Sequence, residues 1–165
     1  YEALTVRDSS LSPATQAVIA AEVGHLNLAY DYLAEAAFMD LQDREHNTKD
    51  GLHIASLAGA WTALVSGFGG MRVANGQLCF APKIPPGIIG LSFRMRYRGR
   101  IVLVSVRDHA TTYSLLEGDP LEIKHYGDPV TISDKELTLD APPRVPLPPP
   151  SQPAGRIPVP HRTRE

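Results

Sequence analysis

The chain has 165 residues, of which 43% are apolar and 21% charged, and this composition is ordinary for a globular protein. Its net charge of −2 gives no long-range attraction for polyanions, so neither nucleic acid nor a membrane is an expected partner. No apolar run reaches the ~20 residues that a membrane-spanning helix needs. A single cysteine, Cys79, cannot form an internal disulfide, which favours a reducing, cytoplasmic compartment.

The chain begins with YEALTVRDSSLSP, which lacks both the basic and the apolar region of a signal peptide and does not start with methionine. These features predict a piece of a longer protein.

The first helix is predicted over residues 13–23. Ser12 can serve as its N-cap, and Pro13 suits the first helical position. The segment is apolar nearly all round, which is typical of a buried helix. Gly24 provides a plausible end.

Two further helices are predicted. The one at about Leu26–Leu41 has an apolar stripe opposite Asp31 and Glu35, which predicts a half-exposed helix. The next lies within Asp50–Arg72 and is almost wholly apolar until its closing glycines, so it is predicted to be buried. Because short loops usually join antiparallel helices, the first and third helices should run parallel. This alternation is typical of a barrel with inner and outer helices.

After residue 71 the apolar pattern alternates with period two. Residues 91–107 are predicted to form a hairpin about Arg98-Gly99, and residues 113–126 a second hairpin about Gly118-Asp119-Pro120. A last short strand is predicted at Val130–Ile132. Together these strands predict a small antiparallel β-sandwich. From Ala141 onward proline dominates, which predicts a flexible tail.

Two polar clusters precede the two apolar helices. Arg7, Asp8, Ser9 and Ser10 come before the first, and Gly51 and His53 open the third. If these helices are parallel neighbours, both clusters lie at one end, where free amide groups and helix dipoles favour an anion such as phosphate. The simpler interpretation is that the serines cap helices and that His53 is structural.

Other chemistry is not indicated. The histidines at positions 25, 46, 109, 125 and 161 lack metal-ligand spacing, so no metal site is predicted. The alternate arginines of the segment RMRYRGR predict a solvated face of one strand.

Several long segments resemble glycoside hydrolase family 65, whose members phosphorolyse α-linked glucose disaccharides such as maltose, trehalose and kojibiose. The segments RDSSLSP, NTKDGLHIASLAGAW and GFGGMR resemble the end of the catalytic domain. The segments LSFRMRYRGRIVLVSV and LLEGDPLEI resemble its C-terminal β-domain. The resemblance covers residues 1–132 and excludes the tail.

The resemblance implies a mixed fold, α then β. Residues 1–70 would be the last helices of an (α/α)6 barrel, and residues 71–140 a β-sandwich. The disordered tail at residues 141–165 is predicted from its proline content alone. In family terms, Ser9, Ser10 and His53 hold phosphate, and we add Gly51 because it permits close backbone approach. The family often has histidine where Arg7 stands here, and arginine also suits phosphate.

The resemblance further implies that the chain holds no catalytic residue, since the general-acid glutamate matches none of Glu2, Glu22, Glu35 or Glu45 and would lie upstream. The expected substrates are a disaccharide and inorganic phosphate, with no cofactor. The upstream part of the polypeptide would be the main partner, and family members commonly form homodimers. Two alternatives stay open: a hydrolase of the same family that uses water, and a non-catalytic carbohydrate-binding or structural fragment in which residues 71–132 act.

Overall fold

Helices occupy the first part of the chain and strands the second. The computed structural model describes residues 2–5, 9–43, 46, 48–107, 109–145, 147–152, 155 and 157–158. The chain divides into a helical unit, Tyr1–Gly67 with Pro146–Glu165, and a β unit, Phe68–Val145.

The described residues of the helical unit form three α-helices: α1 (Ser12–Val23), α2 (Leu26–Ala37) and α3 (Ile54–Thr62). A π-helix, Ala63–Phe68, continues from α3, and short 3₁₀ turns occur at Glu2–Leu4 and Thr48–Asp50. In the part of the chain that is described, no helix has both the length and the apolar character needed to cross a membrane.

The two ends of α1 test two predictions. Gly24 ends the helix as predicted, with φ of +97° and its N–H bonded to Ala20 and Ala21. The prediction that Ser12 is the N-cap is wrong, because Ser12 is the first helical residue and its N–H donates to the Ser9 carbonyl. The turn of residues 9–11 therefore starts the helix one residue earlier than predicted.

Packing confirms the predicted direction of the three helices. A Cβ placed on Gly59 would lie 2.5 Å from Ala14 Cβ, and one on Gly67 would lie 3.4 Å from Val18 Cα. Position along α3 therefore increases together with position along α1, so the two helices are parallel neighbours. In contrast, the Ser56 hydroxyl near the start of α3 donates to the carbonyl of Ala36 at the end of α2, so α2 is antiparallel.

The burial of the three helices differs from the prediction. Ala17 and Ala21 of α1 are buried, but Ile19 and Val23 of the same helix are exposed. On α3 the exposed apolar side chains are Ile54, Leu57 and Trp61. Helix α2, predicted to be half-exposed, buries even Asp31. The all-apolar helices α1 and α3 thus each keep one face in contact with solvent here.

In the part of the β unit that the structure describes, eight strands form two sheets. Their bounds are β1 Arg72–Ala74, β2 Gln77–Phe80, β3 Gly90–Tyr97, β4 Arg100–Arg107, β5 Ala110–Glu117, β6 Leu121–His125, β7 Asp128–Ile132 and β8 Leu137–Asp140. The sheet orders are β1-β2-β6-β7 and β3-β4-β5-β8. All pairs are antiparallel except β2 with β6.

The predicted hairpin of β3 and β4 is confirmed, with Arg98 and Gly99 at its turn. The predicted hairpin about Gly118-Asp119-Pro120 is wrong, because β5 and β6 belong to different sheets. Strand β5 pairs with β8 along the edge that does not face β4, and β6 pairs with β2 and β7. The Gly-Asp-Pro segment is therefore a crossover between sheets.

Aromatic contacts show that the two sheets pack face to face. Phe80 of β2 lies 5.3 Å from Tyr113 of β5 and 6.5 Å from Phe93 of β3, between ring centroids. Such inter-sheet contacts make the predicted β-sandwich core.

Residues 141–145 and the described residues from 147 onward form neither helix nor strand. Gln152 Nε2 donates to Glu2 Oε1 at 2.8 Å and to the Tyr32 hydroxyl at 3.0 Å. This part of the prolyl segment therefore lies against the helical unit.

Candidate functional site

His53 stands directly before α3 and is held by Asp40, which follows α2. The His53 Nδ1 lies 2.6 Å from Asp40 Oδ1, and the His53 backbone N–H donates to Asp40 Oδ2 at 2.9 Å. The exposed fraction of the side chain is 20% for His53 and 9% for Asp40. One carboxylate thus fixes both the ring and the backbone at the start of α3.

Sequence reasoning missed Asp40. Thirteen residues separate it from His53, so no local motif joins them. The available signal was topological: an acidic residue stands near the end of one predicted helix, and a histidine stands at the start of the next, antiparallel helix. Those two ends must meet.

Ser9 and Ser10 form the turn that leads into α1. The Leu11 N–H donates to Ser9 Oγ at 3.3 Å, so Ser9 does have the local capping role that the simpler interpretation gave it. A serine hydroxyl that accepts a bond still has its own hydrogen to donate. Ser9 is exposed and Ser10 half-buried. Arg7 and Asp8 lie outside the described residues.

The parallel packing of α1 and α3 brings Ser9, Ser10 and His53 to the same end of the helical unit. Ala14 and Gly59 lie at one level, two residues into α1 and five residues into α3. At about 1.5 Å rise per residue, α3 begins roughly 4–5 Å beyond the start of α1. The turn of Ser9 and Ser10 precedes α1, so it lies toward the same end of the helical unit as the start of α3.

Gly51 adopts a backbone conformation that favours glycine. Its φ is +139°, and among the described residues beyond its chain neighbours no atom lies within 4 Å of the position where a Cβ would stand. This positive φ favours glycine at position 51 because other residues rarely adopt it.

The amide groups at the start of α3 are less free than predicted. The N–H of His53 donates to Asp40, that of Ile54 to the Leu52 carbonyl, and that of Ser56 to the His53 carbonyl. Side-chain donors therefore matter more for anion binding here than unpaired helix amides.

Two other histidines lie in different environments from His53. His125 is buried in the β-sandwich, and His46 is largely exposed, 3.9 Å from Asp43. Among the described residues there is no group of three or more His, Cys, Asp or Glu side chains that could hold a metal ion. Of the four arginines predicted to be solvated, Arg94, Arg96 and Arg98 are exposed and Arg100 is half-buried.

A cleft of about 410 Å³ lies in the β unit, lined by residues 84–89 with His109 and Arg144. Its wall is mainly isoleucine and proline, and Arg144 Nη1 donates to the Ile84 carbonyl at 2.7 Å. It contains none of the predicted phosphate-binding residues.

Comparison with known proteins supports one family for both units. Residues 1–62 match the model of the glycosyl hydrolase family 65 central catalytic domain, and residues 71–132 match that of the family's C-terminal domain. These stretches cover most of the chain.

Relatives agree with this match. The chain is 55% identical, over 98% of its length and 21% of the relative, to an uncharacterized glycosyl hydrolase of Mycobacterium leprae. It is 44% identical to the α,α-trehalose phosphorylase of Thermoanaerobacter brockii, over 83% of this chain and 18% of that one. The chain thus spans about a fifth of the length of the relatives it matches.

A solved structure shows the same fold. It is described as a kojibiose phosphorylase from the human microbiome and matches with a TM-score of 0.80 and 27% identity, over 87% of this chain and 21% of that one. With both units matched by one family and phosphorylases among its relatives, the chain belongs to glycoside hydrolase family 65.

Proposed function

We propose that this chain is the C-terminal part of an inverting disaccharide phosphorylase and supplies the phosphate-binding part of its active site. The reaction converts an α-linked glucose disaccharide and phosphate to β-glucose 1-phosphate and glucose. The observation that carries the proposal is the position of Ser9, Ser10 and His53 at one end of two parallel, adjacent helices.

The chemistry of this cluster suits a tetrahedral oxyanion. Two serine hydroxyls can each donate a hydrogen bond, and the imidazole has a ring nitrogen on the side opposite Asp40. The starts of α1 and α3 add the positive ends of two helix dipoles. Gly51 lets the backbone pass close by without a side chain.

The reaction needs only one protein carboxyl group. An acid protonates the leaving glycosidic oxygen while phosphate attacks the opposite face of the sugar. Because phosphate is already an anion, it needs no general base, whereas an inverting hydrolase needs a second carboxylate to activate water. We propose that the acid is a glutamate upstream of Tyr1, so the chain by itself would be inactive.

The remainder of the same polypeptide is the proposed partner of the helical unit. Ile54, Leu57 and Trp61 form an exposed apolar stripe along α3, and further helices of an (α/α)6 barrel would cover it. The chain's small share of its relatives' length is consistent with this proposal. We also propose that the intact protein forms a homodimer, is cytoplasmic and uses no cofactor.

Hydrolysis by water is the second candidate, because close relatives carry the name glycosyl hydrolase. The serine pair, at the same end of the helical unit as His53, favours phosphate, since a water-using enzyme has no need of an anion-binding site.

Product analysis of the intact protein separates the two. It would be incubated with maltose, trehalose or kojibiose, with and without inorganic phosphate, and the products followed by NMR of the anomeric proton. We expect cleavage that requires phosphate and gives β-glucose 1-phosphate and glucose in equal amounts. Two glucose molecules per disaccharide, at a rate independent of phosphate, would overturn the proposal in favour of hydrolysis.

A further inference from the structure

Asp40 contacts both the backbone N–H and the imidazole ring of His53, the histidine that is proposed to bind phosphate. We propose that Asp40 is a positioning residue that fixes the orientation and tautomer of His53 for phosphate; this rests on the proposed function. A carboxylate that served only to start α3 would need the 2.9 Å bond to the His53 N–H. The 2.6 Å contact to Nδ1 is additional.

The surrounding helices hold Asp40 in place. It follows α2, whose end is joined to the start of α3 by the bond from the Ser56 hydroxyl to the Ala36 carbonyl at 3.1 Å. Both Asp40 and His53 are largely enclosed. Rotation of the imidazole would break its contact with Asp40, so the ring has one favoured orientation.

The contact also decides which ring nitrogen carries the hydrogen. A carboxylate only accepts hydrogen bonds, so Nδ1 must donate, and Nε2 is the nitrogen left for a ligand. Nε2 can accept the hydrogen of a protonated phosphate oxygen or, when the ring is charged, donate to a bare one. Either way a single hydrogen bond joins Nε2 to phosphate.

Asp40→Asn separates this role from helix capping. The amide oxygen of asparagine can still accept from the His53 N–H. Its NH₂ group can only donate, so it would face Nδ1 as a donor and drive the hydrogen to Nε2. The variant keeps the size and the cap but inverts the tautomer.

The experiment measures initial rates of the intact protein against phosphate and against disaccharide, between pH 5.5 and 8.5. For Asp40→Asn we expect the KM for phosphate to rise at least tenfold, the KM for disaccharide to stay within twofold, and the pH profile of kcat/KM for phosphate to change shape. Asp40→Glu, which keeps a carboxylate, should recover part of the phosphate affinity and is the second variant if Asp40→Asn folds poorly.

Asp43→Asn is the matched control. Asp43 lies in the same connection and accepts a hydrogen bond from the Thr48 N–H at 3.1 Å, so its replacement perturbs the loop without touching His53. We expect its two KM values and its pH profile to match those of the unsubstituted protein.

Three outcomes would overturn the inference: an unchanged phosphate KM in Asp40→Asn, an equal rise in both KM values, or an equal effect of Asp43→Asn. His53→Ala distinguishes this failure from failure of the proposed function. If His53→Ala raises the phosphate KM and Asp40→Asn does not, only the role of Asp40 is wrong. If the intact protein needs no phosphate at all, the proposed function is wrong.

Discussion

At the scale of single residues, His125 shows how the β-sandwich core holds polar groups without charge. Its Nε2 donates to the Asp140 carbonyl at 3.3 Å, so its Nδ1 accepts from the Tyr113 hydroxyl at 2.8 Å. Burial lowers the pKa of His125, against smaller opposing effects of the Asp140 carbonyl and the Asp128 carboxylate. Burial also raises the pKa of Tyr113. Both rings therefore stay neutral near pH 7.

This network predicts a loss of stability in acid. The pKa of His125 is lower in the folded state than the usual value of about 6.5 in the unfolded chain. The contribution of neutral His125 to the free energy of unfolding is complete above pH ~6.5. It is lost as the pH falls toward the pKa of the folded state, because the unfolded state then binds the proton more tightly. Denaturant unfolding at pH 7.5 and 5.5 should show this loss.

The variant His125→Gln should reduce that pH dependence and cost about 1–3 kcal/mol at pH 7.5, since buried partners lose their hydrogen bonds. His46→Gln, at a largely exposed position, is the control and should keep the full dependence. An unaltered pH dependence in His125→Gln would show that another group titrates.

Sequence reasoning at this scale identified candidates but not their contacts. His53 and Ser9 stood out by type and by place in the chain. Asp40 did not, because only the return of α3 along α2 brings it to His53. Ser12 was mistaken for a cap because the turn of residues 9–11 also satisfies the amides at the helix start.

At the scale of elements, the close packing of α1 on α3 sets the geometry of the candidate site. Gly59 faces Ala14 so closely that no Cβ fits between the helices without a shift. This contact sets the offset of α1 and α3 along their axes, which leaves the serine turn and His53 at the same end of the helical unit.

Gly59→Ala should therefore destabilise the helical unit. Overpacking costs about 1–3 kcal/mol, while alanine gains up to about 1 kcal/mol in helix propensity, so a modest net loss is expected in thermal unfolding. Gly67→Ala makes a matched comparison, because its Cβ would meet Val18 at an ordinary 3.4 Å. A Gly59→Ala protein as stable as the parent would contradict the close contact.

Strands were predictable where a local signal decided the pairing. The hairpin of β3 and β4 follows from alternation and the turn at Arg98 and Gly99. The partner of β5 could not be read locally, because β8, twenty residues beyond its end, takes the edge that β6 was expected to fill. Strand β8 itself was missed, being only four residues long beside the proline-rich segment.

At the scale of the whole molecule, the family was recognisable from the sequence because long segments of both units carry it. Burial was not predictable in the same way. An apolar helix indicates that something covers it, and α3 leaves Ile54, Leu57 and Trp61 exposed in this chain. The direction of the helices was predicted correctly, although residues 38–53 make a long connection between α2 and α3.

The central claim is that Ser9, Ser10 and His53 bind the phosphate that cleaves the disaccharide. It is tested most directly by the phosphate dependence of the intact protein carrying Ser9→Ala together with Ser10→Ala. Loss of hydrogen bonds to a charged group costs about 1.5–3 kcal/mol each. We predict a KM for phosphate raised at least about tenfold, with the KM for disaccharide within twofold of the parent. An unchanged KM for phosphate in this double variant would contradict the account.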